Sequence, residues 1–480
     1  MSVDFKVKQA HKAFLASYSN DNLQKRAGWL EAIGEALEHW REDLVTVAQT
    51  DTHLPEARLN NELTRTVFQL MLLAEEVRRG DYLDVTVDHQ DPDWGMGPRP
   101  DIRRMNVALG VVGVFGASNF PFAFSIAGGD SASALAAGCS VVHKIHEGHE
   151  ALGLLTAEIV AKALSTAGAP QGIFATLTGR DAGIELVEHP LVKAVGFTGS
   201  VTGGRALFDR AVSRPEPIPF FGELGSINPA IVTEAAWNAR PDDIIDGFLQ
   251  SLTMGIGQFC TKPGVLFLPA SVADAAKSKL IEKLRLHEPE GKMLNERIYQ
   301  GFLESRGYVA SLSGVETITA GDDSNPPMPA MFAAATQGLG KNAAVLQTEM
   351  FGPAGAVLSY NDQQELLNAI DELPGQLTGT IQSEADENID DLMRTLGLRC
   401  GRLLRNQWPT GVTVSYAQSH GGPYPATTAT NSTSVGTAAI SRFVRPVAFQ
   451  NFDETELPSE LKESNPLELR RRVDGEWNRH

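Results

Sequence analysis

The sequence has few cysteines and fewer basic than acidic side chains. Its 480 residues include three cysteines, Cys139, Cys260 and Cys400, too few for a disulfide framework or a four-cysteine zinc site and typical of a reducing compartment. Lys and Arg number 41 against 59 Asp and Glu, a net charge of −18, so nucleic acid and anionic membranes repel the molecule as a whole. We expect a cytoplasmic protein with no metal, nucleic-acid or membrane partner.

We expect neither a secretory leader nor a continuous membrane-spanning helix. Charged residues such as Asp4, Lys6 and Lys8 interrupt the start of the chain. Residues 105–129 carry no charge and would be long enough to cross a bilayer. However, five glycines and Pro121 in this stretch argue against one helix. We expect two buried elements joined at a tight corner.

What the sequence does contain is an alternation of strand-like and helix-like segments. Helices are predicted within the first 80 residues, over 23–44 and 63–77, and an extended hairpin or arm over 81–104. Two series of strands and helices follow, with a boundary near 215–225, which predicts α/β domains with parallel sheets. The polar tail, 451–480, is predicted to be a surface arm. The predicted strands are 107–115, 140–145, 172–177, 194–198, 228–232 and 264–268; the predicted helices are 131–137, 151–167, 205–212, 242–254, 273–286, 365–373 and 389–396.

Two glycine-rich segments are candidates for binding a dinucleotide. The spacing of Gly110, Gly113 and Gly116 is not the dinucleotide fingerprint, and close packing in a strand explains it as well. Gly199-Ser200 and Gly204 instead follow a predicted strand and open a helix, whose free N–H groups and dipole would attract a phosphate. An ordinary strand–turn–helix corner is the alternative interpretation.

Three polar residues lie in unusual surroundings. Cys260 is in a flexible polar connection, where a reactive thiol is expected, although an inert cysteine is the alternative. Glu223 stands between aromatic residues and glycines, so we expect burial to raise its pKa towards that of a general base; otherwise it is a surface glutamate. Asn119 is either a turn residue or an amide donor to a developing oxyanion.

The order of the motifs carries more information than any one of them. From about residue 107 to 447 their order and spacing resemble the aldehyde dehydrogenase superfamily. Within it, segments 117–130, 257–264, 409–412 and 420–427 are most similar to α-ketoglutarate semialdehyde (2,5-dioxovalerate) dehydrogenases and NADP-preferring fatty aldehyde dehydrogenases. The motifs are Asn119-Phe-Pro, Lys144 after Val-Val-His, Gly199-Ser200 with Gly204, Glu223-Leu-Gly, Gly257-Gln-Phe-Cys260-Thr and Glu349-Met-Phe351-Gly-Pro.

This resemblance implies a fold and an assembly. It implies an α/β protein with a Rossmann-type cofactor domain formed by 1–80 and 107–222 and a catalytic, thiol-bearing α/β domain formed by 223–440. Residues 81–106 and 441–480 are expected to form a small oligomerisation hairpin and terminal arm. A homodimer or a tetramer is therefore expected.

The resemblance also implies a reaction, the NAD(P)-dependent oxidation of an aldehyde to a carboxylic acid. Cys260 would attack the aldehyde to give a thiohemiacetal and then a thioester, while the Asn119 side chain and the Cys260 backbone N–H hold the oxyanion. Glu223 would activate the water that releases the acid. α-Ketoglutarate semialdehyde is the expected substrate. A long-chain or general aliphatic aldehyde dehydrogenase, a CoA-acylating enzyme and a non-catalytic relative are the alternatives.

For the cofactor, the resemblance implies a binding site with conflicting signals about NADP and NAD. Glu147 falls where NAD-using relatives bind the adenosine ribose. In contrast, Arg180, assisted by His146, falls where NADP-preferring relatives bind the 2′-phosphate. An ion pair between Glu147 and Arg180 is the structural alternative, and we favour NADP with some use of NAD. The other expected cofactor-binding residues are Gly199, Ser200 and Gly204 at the pyrophosphate, Lys144 and Glu349 at the riboses, Phe351 at the nicotinamide ribose, and Leu224.

The substrate-binding residues are less sharply defined by the sequence. A semialdehyde requires a cation for its distal carboxylate, and Arg405, Arg442 and Arg445 are candidates, with structural salt bridges as the alternative. An apolar access channel is the functional interpretation of four phenylalanines, and core packing is the ordinary one. These are Phe120, Phe122, Phe124 and Phe259.

Overall fold

A computed structural model of the protein describes residues 1–18, 23–337 and 343–477. Its helices are α1 Val3–Ser17, α2 Leu23–His39, α3 Arg41–Thr52, α4 Glu56–Arg79, α5 Gly129–Ala137, α6 Glu150–Thr166, α7 Arg180–Glu188, α8 Val201–Val212, α9 Glu234–Ala239, α10 Pro241–Thr253, α11 Ala273–Leu284, α12 Glu296–Ala310, α13 Gln363–Asp371 and α14 Asp390–Gly397. Its strands are β1 Thr86–Asp88, β2 Ile102–Ala108, β3 Val111–Phe115, β4 Ser140–Lys144, β5 Phe174–Leu177, β6 Val192–Thr198, β7 Phe220–Glu223, β8 Pro229–Val232, β9 Val265–Pro269, β10 Glu316–Ala320, β11 Ala330–Ala335, β12 Ala354–Tyr360, β13 Gln376–Gln382, β14 Cys400–Arg405, β15 Val444–Gln450, β16 Arg472–Val473 and β17 Glu476–Trp477.

The first sheet is wholly parallel, in the order β5-β4-β3-β6-β7. The chain adds β4 and β5 on one side of β3, and then β6 and β7 on its other side. The topological switch point therefore lies between β3 and β6, and ligands bind at such a point beyond the carboxyl ends of the strands. Asn119, Lys144, Gly199 and Glu223 all lie at or just after these carboxyl ends.

The second sheet has the order β10-β11-β12-β9-β8-β13-β14, and all its pairs are parallel except β10 with β11. The segments that precede β8, β9 and β12 carry Asn228, Cys260 and Glu349, respectively. The amino ends of this sheet thus meet the carboxyl ends of the first one, since Asn119 bonds to the loop of Cys260. The predicted α/β class is confirmed; the second sheet departs from the predicted parallel one at its antiparallel edge strand, β10.

A third sheet joins two segments that are far apart in the sequence. Its order is β15-β2-β1-β16-β17, so the predicted hairpin pairs with the end of the chain. The tail is not simply a surface arm, because Leu457, Leu461 and Leu469 are buried in the same core as α2 and α4. The boundaries of the domains and their role in oligomerisation stay predictions.

The uncharged stretch 105–129 crosses from the third sheet into the first. It contains the end of β2, all of β3, a turn around Asn119 and the first residue of α5. Gly110, with φ +133°, turns the chain between the two strands, so the single predicted strand 107–115 is in fact two. Among the described residues, no helix has the length and apolar character needed to span a membrane.

Candidate active site

Cys260 lies in a loop that close backbone packing holds in place. The chain leaves α10 through a short 3₁₀ turn, Met254–Gly257, and Gly257 has φ +64°. A Cβ atom at this position would lie 2.2 Å from the carbonyl oxygen of Gly352, so only glycine allows the two loops to touch. From the other side, Asn228 Nδ2 donates to the carbonyl oxygens of Cys260 and Lys262 at 2.8 and 2.9 Å.

The Cys260 thiol faces a buried carboxylate–imidazole pair. His420 Nε2 lies 2.8 Å from Glu223 Oε1 and 3.8 Å from Cys260 Sγ. The other oxygen of Glu223 accepts a hydrogen bond of 2.8 Å from the Ser434 hydroxyl. All three reactive atoms lie within 4.8 Å of one another. A thiolate, an imidazole and a carboxylate at this spacing are also metal-ligand types, and the expected absence of a metal stays a prediction.

His420 was not identified from the sequence as a functional residue. It lies in the segment 420–427, which carries part of the family resemblance. A histidine after a polar loop has no local sequence signature that would indicate a catalytic role. The signal that finds it is spatial: its side chain is buried, and its Nε2 is within reach of two candidate catalytic groups.

The direction of the pKa shift at Glu223 differs from the prediction made from the sequence. Burial, followed by the negative charge of Glu223, raises the pKa of the Cys260 thiol well above its ordinary value. Burial also acts to raise the pKa of Glu223, but His420, Ser434 and Arg442 outweigh it, and the net shift is downward. The prediction that burial raises the pKa of Glu223 is therefore wrong, because it ignored the hydrogen-bond partners.

Asn119 lies between α4 and the cysteine loop. Its side-chain amide donates through Nδ2 to the backbone carbonyl oxygen of Gln258 at 3.0 Å. The backbone carbonyl of Asn119 accepts a hydrogen bond from Arg58 at 2.6 Å. An amide nitrogen has two N–H groups, so one bond to Gln258 leaves a second donor. The predicted proximity of Asn119 to the cysteine loop is thus observed.

Three of the four candidate channel phenylalanines surround this site. Phe120 makes edge-to-face contacts with Phe124 and Phe259, with ring centroids 5.4 and 5.2 Å apart, and Phe124 lies 6.1 Å from the His420 ring. Phe122 instead belongs to the main core cluster. Phe120, Phe124 and Phe259 therefore form an apolar wall beside the thiol, while Phe122 follows the core-packing alternative.

The candidate carboxylate-binding arginines already have other partners or lie elsewhere. Arg442 forms a buried ion pair with Asp130 and donates to the Phe221 carbonyl. Arg405 donates to Ser383 and Glu384, and Arg445 is exposed on β15. Two other cations, Arg65 on α4 and Arg402 on β14, interact electrostatically with Cys260. Neither was identified from the sequence.

The glycine-rich turn begins α8 at the switch point of the first sheet. Ser200 is the N-cap of α8, and its Oγ accepts from Gly203 N at 3.2 Å. Gly199 N donates to the Glu223 carbonyl at 3.0 Å, which ties this turn to β7. A Cβ atom at Gly204 would lie 2.1 Å from Leu224 Cδ2, so the glycine lets the helix approach the sheet closely. The first N–H groups of α8 have no partner within the helix.

The residues expected at the adenosine end include one paired and one unpaired cation among the described residues. Lys144 Nζ pairs with Glu147 at 3.1 Å, so the alternative of an ion pair between Glu147 and Arg180 is wrong. The exposed Arg180 opens α7 and has no side-chain hydrogen bond or ion pair within the described parts of the chain. His146 accepts from Gly148 N at 2.9 Å, and burial lowers its pKa to about 3.

At the expected nicotinamide end, the half-buried Glu349 interacts electrostatically with Lys262. Burial raises the pKa of Glu349 against the opposing charge of Lys262. Lys262 Nζ donates to the carbonyls of Met350, Gly352 and Ala354 at 2.6 to 3.2 Å, and thereby holds the loop that carries Glu349 and the half-buried Phe351. The expected cofactor residues are thus distributed around one junction of two sheets.

Comparison with known proteins agrees with this arrangement. Residues 1–439 match the sequence pattern of the aldehyde dehydrogenase family. The chain is 42% identical to the alpha-ketoglutaric semialdehyde dehydrogenase of Acinetobacter baylyi, over 98% of this chain and 91% of that protein. It is 44% identical to alpha-ketoglutaric semialdehyde dehydrogenase 2 of Azospirillum brasilense, over 97% and 90%.

A solved structure shows the same fold at low sequence identity. Glyceraldehyde-3-phosphate dehydrogenase GapN from Methanocaldococcus jannaschii, complexed with NADP, is 19% identical, with a TM-score of 0.78 over 93% of each chain. The expected aldehyde dehydrogenase-like fold is confirmed. The chain belongs to the aldehyde dehydrogenase family of oxidoreductases, which oxidise aldehydes with NAD or NADP.

Proposed function

We propose that the protein oxidises α-ketoglutarate semialdehyde to α-ketoglutarate, with Cys260 as the nucleophile, Asn119 as an oxyanion donor and Glu223 as the general base. The observation that carries this proposal is the cluster of Cys260, His420 and Glu223 within 4.8 Å of one another, at the meeting point of the two parallel sheets. The semialdehyde is the substrate named for two relatives of 42% and 44% identity over nearly the whole chain.

The first half of the reaction requires removal of a proton from the half-buried thiol of Cys260. His420 Nε2 is the polar atom next to Cys260 Sγ and is itself bonded to Glu223. Because His420 Nε2 donates its proton to the Glu223 carboxylate, it cannot take the thiol proton. This proton leaves to solvent water before sulfur attacks the aldehyde carbon, and the second N–H of Asn119 and the Cys260 N–H stabilise the oxygen anion that forms. The thiohemiacetal then loses hydride and becomes a thioester on Cys260.

The cofactor fits the residues that surround the switch point. When bound, NAD or NADP supplies the acceptor for the hydride. The positive amino end of α8, which follows Gly199 and Ser200, suits the pyrophosphate, while Gly204 and Leu224 pack the helix against the sheet. Lys144 and Glu349 suit the two riboses, with Phe351 beside the second. Glu147 and His146 lie next to the adenosine position.

The second half of the reaction requires a base for water. Glu223 lines a small cavity together with His420, Ser434 and Arg442. A lowered pKa keeps its carboxylate ionised near neutral pH, so it is ready to accept a proton from a water molecule that attacks the thioester. The presence of this base supports hydrolysis over transfer of the acyl group to CoA.

The substrate assignment is tested by steady-state kinetics in the presence of a metal chelator. We compare kcat/KM for α-ketoglutarate semialdehyde with the values for hexanal and decanal, with and without CoA. The proposal expects the semialdehyde to be preferred by about 100-fold and its product to be the free acid. A preference for decanal would favour the long-chain alternative, acyl-CoA as product would favour the acylating alternative, and no reduced cofactor with any aldehyde would favour a non-catalytic relative.

We propose NADP as the preferred cofactor, and Arg180 as the residue that decides it. Since Arg180 has no ion pair with any residue that the structure describes, and Glu147 pairs with Lys144, a 2′-phosphate would meet a guanidinium that these residues leave free. Arg180→Ala is expected to lower kcat/KM with NADP by about 30-fold and to change the value with NAD by less than about threefold. Arg210→Ala, on the exposed face of α8 and paired with Glu188, serves as a matched control. An unchanged NADP value in the Arg180 variant would contradict the assignment.

The raised pKa of Cys260 makes a prediction about its reactivity. Because the thiolate is the reactive form, the rate of alkylation by iodoacetamide in the absence of cofactor should rise about tenfold per pH unit. This rise should continue from about pH 6 to about pH 9 without a plateau, since the pKa lies well above the ordinary value. Alkylation is followed by mass spectrometry of the Cys260 peptide. A plateau below about pH 8 would show that the thiolate forms at neutral pH.

We further propose that the protein acts in the cytoplasm as a homodimer or tetramer. The proposal also divides the chain into cofactor, catalytic and oligomerisation parts at the boundaries predicted above. The third sheet supports the oligomerisation role, because its edge strands, β15 and β17, could pair with strands of another subunit. Light scattering on the purified protein measures the assembly directly, and a monomer at micromolar concentration would contradict it.

A further inference from the structure

One face of α4 points at the active-site turn and carries three charged residues. Arg58, Glu62 and Arg65 are four and three positions apart, so they lie on the same side of the helix. Arg58 Nη2 donates to the Asn119 carbonyl at 2.6 Å. Glu62 accepts from the backbone N–H groups of Phe122 and Ala123 at 2.8 and 2.9 Å. This face of α4 is therefore attached to the segment that carries Asn119.

The two guanidinium groups on this face have donors without acceptors. Arg65 Nε donates to the Val412 carbonyl at 3.1 Å, but its Nη1 and Nη2 are shielded from solvent and have no hydrogen-bond partner among the described residues. The same holds for Arg58 Nη1. Leaving buried donors of a charged group unpaired is costly. A ligand that brings matching acceptors would pair these donors and remove the free-energy cost of leaving them unpaired.

The surroundings of these donors select the ligand. Arg58 lies 4.5 Å from the ring centre of Phe259, and Arg65 lies 5.4 Å from that of Phe124, so both belong to the aromatic wall beside the thiol. The charge of Arg65 reaches both Cys260 and Glu223. Against two guanidinium groups this face of α4 has one carboxylate, Glu62, so it remains positive in a protein whose net charge is −18. An anion is therefore attracted to this face despite the negative net charge of the molecule.

We propose that Arg65, with Arg58 beside it, binds the substrate carboxylate that is distal to the aldehyde. The inference rests on the proposed function and names the residues that give it its substrate class. The free Nη1 and Nη2 atoms of Arg65 form the planar fork that pairs with a carboxylate. Because these donors are shielded from solvent, entry of the substrate requires a shift of the loop 409–412, which Arg65 contacts through Val412.

A binding test that needs no turnover uses glutarate, a dicarboxylate with a five-carbon chain. Glutarate is expected to protect Cys260 of the wild-type protein from iodoacetamide, and Arg65→Met is expected to raise the concentration for half-protection about 100-fold. Arg78→Met is the matched control on the same helix, because Arg78 already has a carboxylate partner, Glu31, at 2.6 Å. Equal protection in wild type and Arg65→Met, or no protection of the wild type, would overturn the proposal.

A kinetic test separates carboxylate binding from support of the loop. We compare kcat/KM for α-ketoglutarate semialdehyde with that for pentanal, which has the same chain length and no carboxylate. Arg65→Met should lower the ratio of the two values at least about 30-fold, and Arg65→Lys should lower it less, since a point charge remains. If Arg65→Met lowers both values equally, Arg65 only supports the loop, and the proposal is overturned.

The two tests distinguish failure of this inference from failure of the proposed function. If wild-type protein oxidises neither aldehyde, the proposed function fails, while the glutarate test still decides whether Arg65 binds a carboxylate. If wild type oxidises the semialdehyde and the ratio does not change in Arg65→Met, only the inference fails. Thermal unfolding of each variant, compared with Arg78→Met, verifies that the variants are folded.

Discussion

Replacement of Cys260 with alanine is expected to abolish aldehyde-dependent reduction of NADP and NAD, with a loss of about 10⁴-fold or more in kcat. The reason is that no other thiol lies near Glu223 and His420 in the described structure: Cys139 and Cys400 are buried elsewhere. The measurement is the absorbance of reduced cofactor at saturating aldehyde.

The other two cysteines provide controls for this result. Cys139 and Cys400 are both buried away from the site, so no aldehyde reaches either thiol. Burial also raises the pKa of Cys139 to about 11 and that of Cys400 to about 12. Cys139→Ala and Cys400→Ala should therefore retain activity, apart from the stability lost with a small buried side chain. A Cys260→Ala protein that is folded and still oxidises the semialdehyde would contradict the assignment of the nucleophile.

Replacement of Glu223 with glutamine is expected to stop turnover after the first half of the reaction. The variant should form about one equivalent of reduced cofactor per thiol in a burst, and its steady-state rate should fall about 10³-fold. Glutamine keeps the size of the side chain and a hydrogen bond to Ser434 or His420, but it cannot accept a proton from water. Stopped-flow absorbance measures both phases.

A nucleophile that needs no base distinguishes this role from a general loss of structure. Hydroxylamine attacks thioesters directly, so it should restore turnover in Glu223→Gln but not in Cys260→Ala. Loss of the burst itself in Glu223→Gln would show instead that Glu223 takes the thiol proton in the first half of the reaction, because its carboxylate lies within 4.8 Å of Cys260 Sγ.

The candidate catalytic residues were accessible from the sequence because each one lies in a short motif with its own chemistry. The structure brings Asn119 and Glu223 to the carboxyl ends of the first sheet and Cys260 to the amino ends of the second. His420, Arg58 and Arg65 could not be found in this way. His420 is 160 positions from Cys260, and Arg58 is 61 positions from Asn119, so only the folded chain shows that they belong to one site.

Differences in secondary structure have local physical causes. The helix predicted over 205–212 begins at Val201, because the Ser200 cap starts it before Gly203 and Gly204, whose low helix propensity hid the first turn. The strand predicted over 107–115 is divided at Gly110, where a positive φ sends the chain from one sheet into another. The tail appeared to be a surface arm because its buried leucines are separated by many polar residues.

The measurement that tests the account most directly is mass spectrometry of Glu223→Gln quenched in acid after mixing with NADP and α-ketoglutarate semialdehyde. The account predicts that the protein gains the mass of the substrate's acyl group and that, after digestion, this mass lies on the peptide of Cys260. An unmodified Cys260 peptide after a complete burst of reduced cofactor, or an acyl group on any other residue, would contradict it.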